Sequence, residues 1–153
     1  MVVLGVRCSN TDYAYAVLTG TKSAPGLVEC ALVGYPKGYT HPEVLRWLLQ
    51  ELEALDAKHH ADAWAIKGAE PLAARGKSHT QRVECEAIVT LAAANAGHTT
   101  VARKTKPTIA KCLGLPGKAA ALATLASTPL LPGIKGQPDK VFEAIVVAWS
   151  DLA

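Results

Sequence analysis

Several features that would define a class are missing from this chain of 153 residues. No apolar run reaches the 18 or so residues of a membrane span. Met1 leads into Val2–Val6 without the basic flank and long apolar region of a signal peptide, so the expected location is the cytoplasm. No C-x-x-C pair occurs among Cys8, Cys30, Cys85 and Cys112, and the histidines do not fall at zinc spacing beside them. Four small buried thiols in a reducing compartment are the expectation. No Gly-x-Ser-x-Gly elbow or Ser/His/Asp order is present. Gly114-Leu115-Pro116-Gly117-Lys118 lacks both the Walker spacing and a preceding strand. Aromatic residues are few, at 5%, while alanine is abundant, which predicts helices packed through small side chains.

Half of the residues are hydrophobic and 19% are charged, the balance of a globular chain. The length suits one domain over residues 1–153, and no internal repeat or low-complexity tract interrupts it. The net charge of +3 is unevenly placed. Residues 1–66 carry five Lys/Arg against seven Asp/Glu, residues 67–118 nine against three, and residues 119–153 two against three. The positive charge therefore belongs to the middle third, where it can steer a phosphate-bearing partner or form a solvated basic face.

Val2–Val6, Tyr13–Leu18 and Leu27–Gly34 read as three strands joined by short turns, an antiparallel meander. Thr40 or His41 caps a helix in which Val44, Leu45, Leu48, Leu49, Leu52 and Leu55 recur at helical spacing, with His59 and His60 at its end. Ala61–Lys67 is a fourth strand, parallel to the first because a helix precedes it. A long helix runs from Ser78 to a left-handed cap near Gly97, its expected apolar face being Val83, Ala87, Ile88, Leu91 and Ala92. Thr99–Ala102 is a fifth strand, and Pro107–Leu113 and Lys118–Ser127 are short helical stretches. Asp139–Leu152 is a closing helix, apolar nearly all round and so expected to be buried. The implied class is α/β: a five-stranded mixed sheet, three strands antiparallel and then two parallel, with helices on both faces.

This order of elements resembles that of the ribonuclease H-like fold, and other mixed α/β folds can share it. Within it, Val3-Leu4-Gly5-Val6 followed by a polar turn and Tyr13–Val17 resembles the opening hairpin of the RuvC Holliday-junction resolvases. Gln81–Val89 is similar to the helix after their fourth strand, Thr100–Lys111 to the next strand and the basic segment behind it, and Phe142–Ala148 to their last helix. The resemblance covers nearly the whole chain in order and spacing.

The resemblance implies carboxylates at the ends of the first and fourth strands and on the last helix, holding two Mg²⁺ ions roughly 4 Å apart for phosphodiester hydrolysis. The corresponding positions hold Arg7, Lys67 and Lys140, with Glu143 as the one acid kept. Such a set repels Mg²⁺, so no metal or other cofactor is expected and nuclease activity is not. Two arrangements follow for these residues: an internal ion-pair cluster around Glu143, or a positive groove that binds a DNA or RNA backbone without cleavage. Arg75, Lys77, Arg82, Arg103, Lys104, Lys106 and Lys111 would extend that groove, and the Gly68–Lys77 loop would follow the ligand. Trp64 is expected in the core. One alternative is a Mg²⁺-dependent, structure-specific endonuclease with relocated ligands, Glu70, Asp139 and Glu143. Another is an interaction protein without a nucleic-acid role, dimerising through the helix at 78–97.

Overall fold

A computed structural model describes residues 1–71 and 75–153. Leu72–Ala74, inside the loop nominated to follow a ligand, lie outside the described residues. The sheet has the order β3-β2-β1-β4-β5. Strands β1 (Val2–Cys8), β2 (Asp12–Thr21) and β3 (Ala24–Gly34) form the antiparallel meander, while β4 (Ala63–Lys67) and β5 (Ala102–Lys104) run parallel to β1. The mixed five-stranded sheet matches the expected class. Helices α1 (His41–His59) and α2 (Lys77–Asn95) follow β3 and β4; α3 (Lys106–Cys112), two 3-10 segments (Ala119–Ser127 and Pro132–Ile134) and α4 (Asp139–Trp149) follow β5. No helix among the described residues is long and apolar enough to cross a membrane.

The period of two along β1 decides which side chains meet which helices. Leu4, Val6 and Cys8 join the core beneath α1 and α2, with Leu48, Leu52, Trp64, Ile66 and Val89. Val3 faces the opposite core, built from Ala65, Ile109, Leu122, Ile134 and most of α4. Gly5 lies on this second face, where an added Cβ would collide with the Ala144 carbonyl oxygen and sit 2.8 Å from the Ala148 Cβ. With Gly5, Ala144 and Ala148 all small, α4 lies directly on the strand. Its buried residues are Val141 and Ala144–Trp149, so most of its apolar circumference is buried, with Phe142 half-buried.

Three details differ from the sequence expectation. The fifth strand is Ala102–Lys104 rather than Thr99–Ala102, because only the later residues reach the register of Ala65, Ile66 and Lys67. The buried face of α2 is Cys85, Glu86, Val89, Ala92 and Ala93, while Val83 and Leu91 are 37% and 46% exposed. The helix is turned so that Glu86, 1% exposed, goes inward beneath Arg82 and Arg103. Of the cysteines, Cys8 and Cys85 are buried, Cys30 is half-buried and Cys112 is exposed. Trp64 lies in the core, as expected.

The contact of α4 with β1 makes Gly5 intolerant. Gly5→Ala should lower stability by about 3 kcal/mol or prevent folding, whereas Gly34→Ala, with nothing within 4 Å of the added carbon, should stay within about 0.5 kcal/mol of the parent. Urea denaturation of both variants checks the contrast.

Candidate functional site

The alternation that places Gly5 against α4 places Arg7 on the same face, one step toward the carboxyl end of β1. On β4, Ala63 and Ala65 face α4, and Lys67 follows them to the end of the strand. Because β1 and β4 pair in parallel through Val6 and Ile66, Arg7 and Lys67 end side by side. Glu143 precedes Ala144, the α4 residue whose carbonyl rests on Gly5, so its carboxylate reaches the same corner.

Arg7 Nε donates to Glu143 Oε2 at 2.8 Å, and Arg7 Nη1 donates to the Cys8 carbonyl at 2.6 Å. Lys106 Nζ lies 3.1 Å from the other oxygen, Glu143 Oε1. Lys67 Nζ contacts Glu70 Oε1 at 2.9 Å and donates to the Gly68 carbonyl at 2.6 Å. Glu70 Oε1 also accepts from the Lys106 backbone N–H at 3.0 Å. Three cationic side chains and two carboxylates thus form one connected cluster across β1, β4, α3 and α4.

Burial pushes the Lys67 ammonium below the usual lysine range, opposed by Glu70 and by the charge of Glu143. Burial alone would raise the Glu143 carboxyl, but the Arg7 hydrogen bond and the nearby Lys67 and Lys106 hold it below the usual range. Glu70 is held low in the same way by Lys67 and Lys106.

Lys140 does not join them. Its Nζ pairs with Asp12 Oδ1 at 2.7 Å and reaches Ser9 Oγ at 3.3 Å, at the turn between β1 and β2. Asp139 is exposed at the start of α4. Of the basic residues nominated for a nucleic-acid path, four are engaged internally. Arg82 lies 3.2 Å and Arg103 2.5 Å from the two oxygens of the buried Glu86, the second an ionic contact without hydrogen-bond geometry. Lys104 bonds Asp151 and Ser150, and Lys106 bonds Glu143. Arg75, Lys77 and Lys111 are exposed and make no ion pair among the described residues. Sequence reasoning missed Lys106 as a partner of Glu143 and Glu86 as a buried anchor. Glu86 was visible only as one acid among several on a helix.

Beside the cluster, a polar basin of about 320 Å³ is lined by Arg7, Arg82 and Lys140 together with Ser9, Asn10, Ser78 and His79. Its walls carry three cations and, among the described residues, no carboxylate. Asn10 Nδ2 donates to Ser78 Oγ at 3.2 Å, tying the strand turn to the first turn of α2.

No protein-family model matches the sequence, and no curated protein is similar to it. Solved structures do match. The Thermus thermophilus RuvC structure superposes with a TM-score of 0.80 over 98% of this chain and 92% of that one, at 16% identity. This chain has the RuvC fold. The T. thermophilus RuvC in complex with a Holliday junction substrate gives a TM-score of 0.78 at 16% identity, with the same coverage of both chains. The yeast mitochondrial Holliday junction resolvase gives 0.55 at 10% identity, over 97% of this chain and 77% of that one.

The metal pair that the RuvC-like fold implies does not fit these residues. Both Glu143 oxygens already face cations, and the Glu70 oxygen that accepts from Lys67 and Lys106 is engaged as well. Among the described residues no group of three or more His, Cys, Asp or Glu could hold a metal ion. What the cluster does well is close a strand corner with each carboxylate paired to a cation. Removing Glu143 strands Arg7 and Lys106 in a part-buried site, so Glu143→Gln should cost about 3 kcal/mol at neutral pH. Because the folded carboxyl is depressed, its contribution is present above the ordinary value of 4.5 and is lost as pH falls below it. Denaturation curves from pH 7 to 3 should therefore be flatter in the Gln variant than in the parent.

Proposed function

We propose that this RuvC-like domain binds nucleic acid through its phosphate backbone and does not cleave it. The basin carries the reading: Arg7, Arg82 and Lys140 converge there with no acid among the described residues of its walls. Ser9, Asn10, Ser78 and His79 add neutral donors of the kind that hold phosphate oxygens. Exposed Arg75 and Lys77 lie just before and at the start of α2, the helix whose Ser78 and His79 line the basin, and add charge that an incoming backbone meets first. The T. thermophilus RuvC of the same fold was solved with a Holliday junction, which makes branched DNA the first ligand to try. The absence of cleavage rests on the cations placed around Glu143, where hydrolysis would need hard divalent ions held by several anionic oxygens. Cytoplasmic residence is part of this proposal and accords with four free cysteines.

A second reading has its own observation. Val83 and Leu91, with the exposed Ala87 and Ala94 between and after them, form an apolar stripe on the outer face of α2. Two copies pairing along that stripe would bury it, and a dimer would present two basins to one branched molecule. Sedimentation of the parent against Leu91→Glu tests this: a dimer that the substitution splits supports it, and a monomeric parent rejects it.

For the main proposal, fluorescence anisotropy should show saturable binding of a four-way DNA junction that weakens steeply from 50 to 200 mM salt. Arg75→Ala and Lys77→Ala should each lower the slope of log K against log salt by about 1. No binding at the lowest salt would reject the proposal, as would Mg²⁺- or Mn²⁺-dependent cleavage that Glu143→Ala abolishes.

A further inference from the structure

A second cavity adjoins the basin on the far side of Glu143. It measures about 350 Å³, within the range of small-ligand pockets. Leu122, Ile134 and Phe142 line its apolar part, and Ala119, Ala123 and Ala126 keep the wall of the first 3-10 segment low. Its polar rim is Lys106, Gln137, Asp139 and Glu143. The two hollows are linked by the Arg7–Glu143 pair. Arg7 faces the basin and donates to Glu143 Oε2, while Glu143 faces the cavity and receives Lys106 on Oε1.

We infer that this cavity takes an unpaired nucleobase, one bearing an exocyclic amine, whose own backbone phosphate lies in the basin across the Arg7–Glu143 pair. The inference rests on the nucleic-acid reading and names the unit of the strand that the site would recognise. A nucleotide carries an anionic group and an apolar, flat, hydrogen-bonding ring on either side of one sugar, which is the order of surfaces found here. The ring of Phe142 offers a stacking partner on a wall otherwise made of aliphatic and small side chains. Lys106 and Glu143 on the rim are paired with each other, which leaves Gln137 and Asp139 as its acceptors. Gln137 donates through Nε2 to the Gly133 carbonyl at 3.0 Å, which leaves its Oε1 as the free polar atom of the amide. Asp139 is exposed beside it. Acceptors of this kind pair with the amino groups of adenine and cytosine rather than with the carbonyls of thymine. The apolar floor disfavours a second phosphate, which belongs with the cations of the basin.

The test compares binding of duplexes carrying one bulged nucleotide, which is adenine, thymine or abasic, with free adenosine monophosphate as a separate titrant. For the parent, the adenine bulge should bind roughly tenfold tighter than the abasic bulge, with thymine between or equal to abasic. Ala123→Trp fills the cavity and should bring adenine down to the abasic level while leaving affinity for the abasic duplex unchanged. Phe142→Leu, which keeps the apolar volume but loses the stacking ring, should lower the adenine preference on its own, so a misfolded Trp variant does not decide the matter. If all three duplexes bind alike, the inference fails while backbone binding stands. If no duplex binds, adenosine monophosphate decides: amide shifts at Phe142 and Gln137 that saturate with the nucleotide support a nucleobase cavity for a free ligand, and their absence overturns the inference along with the reading it rests on.

Discussion

The close approach of α4 to β1 at Gly5 sets the rest of the structure. With no side chain there, the Ala144 backbone and Ala148 rest directly on the central strand. This depth buries the apolar circumference of α4 against the sheet on one side and against α3 and the 3-10 segments on the other. It also determines the chemistry of the strand corner, because Glu143 can reach Arg7 only from a helix lying this low. One glycine thus connects core packing to the electrostatics of the site. The two hollows on either side of Glu143 are a further consequence, since the same helix end forms part of the wall of both.

Much of this was legible in the sequence, for identifiable reasons. The apolar runs of β1 and α4 and the helical spacing in α1 placed those elements to within a few residues. Arg7, Lys67 and Glu143 were grouped through the family resemblance, and the register of β1 and β4 gives the physical reason that they converge. The rotation of α2 was not legible. Its apolar residues are small and spread around the helix, so Val83 and Leu91 looked like core, whereas the decisive interaction is a buried carboxylate, Glu86, serving Arg82 one turn earlier on α2 and Arg103 on β5. Local patterning does not report a partner on another strand. Lys140 was misplaced for a related reason: its position on α4 is correct, but its long side chain turns back to Asp12 at the β1–β2 turn. Lys106 takes the place beside Glu143 instead, from a segment that composition alone marked as basic surface.

The charge pattern acquires a structural meaning from these pairings. The positive middle third is not simply a solvated stripe, since Lys67, Arg82, Arg103, Lys104 and Lys106 each serve an acid or a carbonyl around the ends of the parallel strands. The basin's own cations, Arg7, Arg82 and Lys140, are held by Glu143, Glu86 and Asp12, so under the proposed function a phosphate would meet groups already oriented and little side-chain freedom would be lost. Arg75, Lys77 and Lys111 remain as exposed charges that act at longer range.

The account turns on Glu143 belonging to cations of the protein rather than to a divalent metal. Electron paramagnetic resonance of Mn²⁺ titrated into the full chain measures this directly, because free and bound ions differ in signal amplitude. Pairing of Glu143 with Arg7 and Lys106 predicts no saturable site at submillimolar Mn²⁺, in the parent and in Glu143→Gln alike. One or two bound ions in the parent, lost in Glu143→Gln, would contradict it.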